Sequence, residues 1–146
     1  MSRSHETVID LKATPEEVFR GITDPEQIVK WFCDEARVDP RVGGEYYFSW
    51  GPGMEGRTTI VAWEPGVHFG TCSERSRTYG HKGPVDTGVV QKMCVDYYIE
   101  SLGGGITRLR LVQSGFGPET AWDDEFADTK SGWGDFLKKL KELIEK

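Results

Sequence analysis

Apolar residues between positions 120 and 146 fall on one helical stripe. Trp122, Phe126, Thr129, Trp133, Leu137, Leu140 and Ile144 follow at steps of four, three, four, four, three and four. That spacing keeps side chains on one face of a 3.6-residue turn. The charges agree: Asp123, Asp124, Glu125 and Asp128 gather at the start, and Lys138, Lys139, Lys141 and Lys146 at the end. A helix dipole favours both placements. The stripe is aliphatic at its end and aromatic at its start, next to Gly132 and Gly134. Each glycine costs a helix roughly 1 kcal/mol against alanine. Tight packing is therefore expected at the aliphatic tail, and room or close backbone approach at the aromatic head.

Earlier segments change period. Residues 5–12 alternate, with Thr7, Ile9 and Leu11 opposed to Glu6, Asp10 and Lys12, as in a half-buried strand. Thr14-Pro15-Glu16-Glu17 supplies an N-cap, a proline at the first helical position and a glutamate at N3. The helix so opened carries Val18, Phe19 and Ile22 and stops at Asp24-Pro25, where a second short helix presents Ile28, Val29, Trp31 and Phe32. Strands then follow at residues 45–50, 57–63, 67–73, 89–100 and 106–113, separated by glycine-rich turns. Tyr46, Phe48 and Trp50 share one strand face; Val89, Met93, Val95, Tyr97 and Ile99 share another. Residues 74–88 are polar and read as irregular. Strands joined by short turns form an antiparallel sheet. One long amphipathic helix must then lie across one face of that sheet, with the sheet curved around it.

At 146 residues the chain is expected to form a single domain over residues 1–146. A formal charge of −6 argues against nucleic-acid partners, which require a basic face. No apolar run reaches the roughly 18 residues of a membrane span, and the N-terminus lacks an apolar signal region. Cys33, Cys72 and Cys94 are widely spaced and odd in number, so reduced thiols and a cytoplasmic location are the default.

Several segments carry a family resemblance. They are residues 13–19 (Ala-Thr-Pro-Glu-Glu-Val-Phe), Thr23-Asp24-Pro25-Glu26 leading into Trp31-Phe32, and Val42-Gly43-Gly44-Glu45-Tyr46. Residues 107–116 (Thr-Arg-Leu-Arg-Leu-Val-Gln-Ser-Gly-Phe) and Gly132-Trp133 followed by Leu137 and Leu140 complete the set. The chain resembles homologues of the activator of the 90-kilodalton heat-shock-protein ATPase, within the START-like (SRPBCC, helix-grip) superfamily. The resemblance implies an α+β helix-grip fold. About seven antiparallel strands would grip the long C-terminal helix, two short helices would follow the first strand, and a cavity would lie between sheet and helix. Residues 74–88 depart from the family pattern. The family holds co-chaperone modules associated with stress response and many stand-alone proteins, so membership alone assigns no activity.

The aromatic set Trp31, Phe48, Trp50, Phe69, Tyr97, Trp122, Phe126 and Trp133, with Met93, is either ordinary core or the lining of an apolar pocket. Arg57, at the start of its strand, is placed to reach a cavity mouth and orient an anionic group. Arg108 and Arg110 share the solvent face opposite Leu109 and Leu111. His5, His68 and His81 lack metal-ligand spacing, and no metal, cofactor or catalytic residue is expected from them. The reading chosen is a binding protein for a lipophilic or aromatic small molecule, monomeric or homodimeric. Two others stay open: an interaction module acting on a chaperone ATPase, and a cyclase- or hydrolase-like enzyme using the same cavity.

Overall fold

The computed structural model describes residues 2–146. Strand β1 (Arg3–Lys12) leads into helix α1 (Pro15–Thr23) and the single turn α2 (Pro25–Ile28). Strands β2 (Glu35–Val38), β3 (Glu45–Ser49), β4 (Glu55–Glu64), β5 (His68–Gly80), β6 (Gly83–Gly103) and β7 (Ile106–Phe116) follow. A 3-10 turn (Thr120–Trp122) then opens helix α3 (Asp123–Ile144). The seven strands form one sheet in the order β1-β7-β6-β5-β4-β3-β2, every pair antiparallel. This is the curved sheet, long helix and pair of short helices expected from the pattern.

The local signals act as anticipated. Thr14 Oγ1 accepts from the Glu17 N–H at 3.2 Å, while the Glu17 carboxylate accepts from the Thr14 N–H at 3.0 Å. The capping box therefore starts α1 in a register that buries Val18, Phe19 and Ile22. Asp24 caps α2 by accepting from the Glu26 N–H at 2.9 Å.

Directly paired residues share a sheet face. Ile60, Thr71, Val95, Gln113 and His5 form one inner row across β4, β5, β6, β7 and β1. Trp63, Phe69, Tyr97, Leu111 and Thr7 form the next. The principal core joins this surface to α1 and the tail of α3 through Leu11, Val18, Ile22, Leu109, Leu137 and Leu140, all fully buried. Each such side chain contributes about 1.5–3 kcal/mol by leaving water. Arg108 and Arg110 lie on the outer face, where they pair with Asp10 and Glu6 across the β1–β7 ladder.

Two expectations are corrected. Residues 74–88 are not irregular: β5 and β6 run on as a hairpin arm, past their ladders with β4 and β7, to a turn between Gly80 and Gly83. A bulge between Arg75 and Arg77 leaves Val89 and Val90 exposed, so Val89 does not join Met93, Val95 and Tyr97 inside. The arm packs on α3 through charged and hydroxyl groups, which carry no alternating apolar signal. The cysteines differ as well. Cys72 and Cys94 are direct cross-strand partners and form a disulfide, leaving only Cys33 as a free, buried thiol. The thiol argument for a cytoplasmic location thereby falls away. Among the described residues, no helix is long and apolar enough to cross a membrane.

Candidate functional site

The middle of α3 meets the inner face at β1, β7 and β6, through Thr129 on His5 and Trp133 on Gln113 and Tyr97, but stands away from β4 and β5. There a cavity of about 520 Å³ lies between helix and sheet, open to solvent on one side. Its floor is built by small or slender residues in the middle of the sheet: Gly56 on β4, Thr71 and Ser73 on β5, and Val95 on β6. Its roof is α3 at Thr129, Gly132, Trp133 and Phe136. Gly132 makes much of this space, because a Cβ placed there would touch nothing within 4 Å. Gly56 acts differently. A Cβ there would run into the Phe48 ring, so the missing side chain is what lets Phe48 lie flat across β4.

One end of the cavity is aromatic. Phe32, from the turn after α2, stacks on Trp133 with centroids 5.3 Å apart and planes 5° from parallel. Trp50, Phe48 and Phe136 pack edge-on around Phe32, an arrangement favoured by ring quadrupoles. Tyr97 meets Trp133 at right angles, 6.2 Å away. The indole N–H groups are satisfied, Trp133 donating to Gln113 Oε1 at 2.8 Å and Trp50 to the Phe32 carbonyl at 2.7 Å. Both rings are therefore held in fixed orientations.

The other end is polar. Glu125 is buried and holds Arg75 in a two-pronged ion pair between its carboxylate oxygens and both Nη atoms. Its Oε1 also accepts from Thr78 Oγ1 at 2.9 Å and from the Tyr79 N–H at 3.1 Å. The Arg75 guanidinium also lies within 5.4 Å of the Trp122 ring centre. Further out, His81 Nε2 lies 2.9 Å from Asp128, and the His81 N–H donates to Asp124 at 2.8 Å. The hairpin arm is thus fastened to the first turns of α3 and closes that end.

Burial pushes the Tyr97 phenol well above its ordinary range, and burial followed by the neighbouring Tyr97 and Cys33 does the same at Tyr46. Both rings present neutral hydroxyls. Tyr46 donates to the Ile22 carbonyl at 3.4 Å. The side chains of Tyr97, Thr71 and Ser73 border the cavity and have no hydrogen-bond partner among the described residues.

Of the candidates drawn from the sequence, Phe48, Trp50, Met93, Tyr97 and Trp133 border the cavity. Arg57 borders it by position, but its side chain is on the outer face, paired with Glu45 and lying over the Tyr47 ring. The reason is register: Arg57 is opposite Tyr47, whereas the inward-facing pair is Tyr46 and Thr58. Trp31 and Phe69 are instead core, Trp31 donating its N–H to the Gly21 carbonyl at 2.9 Å. Trp122 and Phe126 are not beside open space either. With Met93 and Phe116 they form a second small core that fills the head of α3. The room lies farther along the helix, at Gly132 and Trp133.

Sequence reasoning passed over Phe32, Phe136, Gln113 and the Arg75–Glu125 pair. Phe136 was legible as the i+3 neighbour of Trp133. Arg75 was not, because it sits in the stretch without an apolar period.

Several solved structures share this architecture. Protein MLL2253 from Mesorhizobium loti superposes with a TM-score of 0.80 at 23% identity, over 97% of this chain and 96% of that one. The Aha1 dimer from Colwellia psychrerythraea gives 0.75 at 20% identity, over 98% and 96%. CalU16 from Micromonospora echinospora gives 0.68 at 22% identity, over 98% and 76%. At these identities the likeness is one of fold. No curated protein matches the chain in sequence. Residues 12–145 match the family described as "Activator of Hsp90 ATPase homolog 1-like protein", and the chain belongs to that family.

Proposed function

We propose that this protein is a small binding protein that takes a lipophilic or aromatic molecule between its sheet and its C-terminal helix. The observation that carries the reading is the roughly 520 Å³ cavity, whose aromatic end is held open around Gly132 by oriented Trp133 and Trp50 rings. That volume is within the range of small-molecule sites, which are mainly apolar with a few placed polar groups. Binding is favoured over catalysis by the state of Glu125, the buried acid of the cavity. Its Oε1 accepts from Arg75, Thr78 and the Tyr79 N–H and its Oε2 from Arg75, so the carboxylate is engaged in fastening the hairpin arm to α3. The family description supplies the other reading, regulation of a chaperone ATPase, which would act through an outer surface rather than this cavity.

The test is native mass spectrometry of the freshly purified protein, with a thermal-shift series of apolar and aromatic compounds. A co-purifying small molecule, or a melting temperature that rises with ligand concentration, is expected. A protein that retains nothing and is stabilised by no compound would refute the binding role.

A further inference from the structure

The chemistry of the ligand is written in the polar end of the cavity, and the argument rests on the binding reading above. Arg75 carries five N–H groups, as any arginine does. Nη1 donates to Glu125 Oε1 and to the Arg77 carbonyl, and Nη2 donates to Glu125 Oε2. The Nε–H and the second Nη2–H have no partner among the described residues, although Arg75 borders the cavity. Ser73 and Thr71 stand on the same strand face as Arg75, each two residues from the next. Their hydroxyls, with that of Tyr97, add groups that can donate. Gln113, whose side-chain oxygen accepts from Trp133, also borders the cavity, and its amide N–H groups have no partner among the described residues. The wall is therefore rich in spare donors. Its main fixed acceptor, Glu125, is already paired with Arg75 and holds Thr78 and the Tyr79 N–H.

Charge narrows the class further. The Arg75–Glu125 pair is formally neutral, so it provides directed donors without a net positive field. A carboxylate entering beside it would lose its hydration and would approach the Glu125 charge as well. A neutral oxygen acceptor loses far less on desolvation and carries no charge for Glu125 to repel. We infer that the cavity takes a neutral, flat, largely aromatic molecule bearing a carbonyl or hydroxyl oxygen, with its rings against Trp133 and Phe32 and its oxygen toward Arg75.

Three probes of similar shape test this: 2-ethylnaphthalene, 2-acetylnaphthalene and 2-naphthoate. Affinities are read from the tryptophan indole N–H signals of the intact protein in an NMR titration. The ketone is expected to bind roughly ten- to a hundredfold more tightly than the hydrocarbon, the range for one hydrogen bond to a charged donor. It should also bind more tightly than the carboxylate. The double variant Arg75→Met/Glu125→Met removes both charges together, a change buried pairs tolerate far better than loss of one partner. There, the ketone's advantage over the hydrocarbon should disappear, whatever affinity the hydrocarbon itself shows. Arg75→Lys, which keeps the charge opposite Glu125 and removes the guanidinium fork, should reduce that advantage several-fold even if the double variant does not fold. Equal binding of ketone and hydrocarbon by the native protein would overturn the inference and leave the binding role standing. Naphthoate binding most tightly would overturn it too. Failure of all three probes would overturn the inference, and the binding role would then rest on the native mass spectra and the wider thermal-shift series alone.

Discussion

Gly132 gives the sharpest check on whether the cavity is real. The residue is inside α3, where glycine is about 0.8–1.0 kcal/mol worse than alanine. A Cβ at this position would meet nothing within 4 Å, so Gly132→Ala adds a methyl group without displacing anything. The gain in helix propensity should therefore appear nearly undiminished, as about 0.5–1 kcal/mol of added stability. For a chain of this length that amounts to a rise in melting temperature of about 1–4 °C. Urea unfolding followed by tryptophan fluorescence measures it, with the midpoint rising and the slope unchanged. Gly132→Leu goes further: it should fold as well as the native protein while filling part of the space and lowering probe affinity about tenfold or more. If Gly132→Ala instead destabilises by about 1–3 kcal/mol, the cost of overpacking a filled site, then neighbouring atoms occupy the space and the cavity argument fails.

Other perturbations follow from single contacts. Gly56→Ala should drive the Phe48 ring off β4 into the cavity, lowering both stability and probe affinity; comparing Kd and urea midpoint checks the pair of effects. Glu125→Ala strands Arg75 in a partly buried site and should cost about 3 kcal/mol, whereas Arg108→Ala, which breaks the exposed pair with Asp10, should cost under about 1 kcal/mol in the same denaturation assay. Replacing Cys72 and Cys94 by alanine removes a crosslink spanning 22 positions, which chain entropy values at about 3 kcal/mol; the native protein with and without a dithiol reductant should show the same gap. The pH response centres on His5. Burial, then the nearby Lys130 charge, depresses its folded pKa below the ordinary 6.5. The unfolded chain therefore binds the proton more readily. Its contribution is fully present above about pH 6.5 and is lost as pH falls through that value toward the folded pKa. Stability measured from pH 7.5 down to pH 5 should decline, and His5→Gln should flatten the decline; an unchanged slope in the variant would exclude His5 as its source.

What could be read from the sequence was whatever rests on periodicity and capping. The helix stripe, the Thr14–Glu17 box and the alternation that turns Leu109 and Leu111 inward and Arg108 and Arg110 outward all correspond to contacts formed. What stayed hidden depended on pairs that meet only in space. Arg75 and Glu125 are 50 positions apart, and each looks like an ordinary surface charge in its own segment. Cys72 and Cys94 alternate within strands as small apolar residues do, and only the β5–β6 register makes them partners. Arg57 was misplaced for the same reason, since one position of register decides the face of a strand residue.

The division of α3 into segments explains why the cavity is where it is. At its tail, Leu137 and Leu140 interdigitate with Leu11, Leu109 and the α1 helix, so helix and sheet are drawn together there. At its head, Trp122 and Phe126 reach Phe116, Met93 and Arg3, and the same approach occurs over a different part of the sheet. A straight helix over a curved sheet can be tight at both ends only if the middle is bridged by bulk or left open. In the middle, Trp133 and Thr129 bridge to β7 and β1, but over β4 and β5 the chain has Gly132 above and Gly56, Thr71 and Ser73 below, residues too small to bridge it. The arm formed by β5 and β6 then closes one end with an ion pair, not an apolar plug. A large apolar residue at position 71 or 73 would have closed the gap with a gain of about 1.5–3 kcal/mol in burial. The chain forgoes that gain at several positions surrounding one volume, so the opening belongs to the design of the fold and not to one poorly packed side chain. Thr71→Leu tests the point: it should raise the urea midpoint while abolishing probe binding, and a lowered midpoint would mean that the floor is already fully packed.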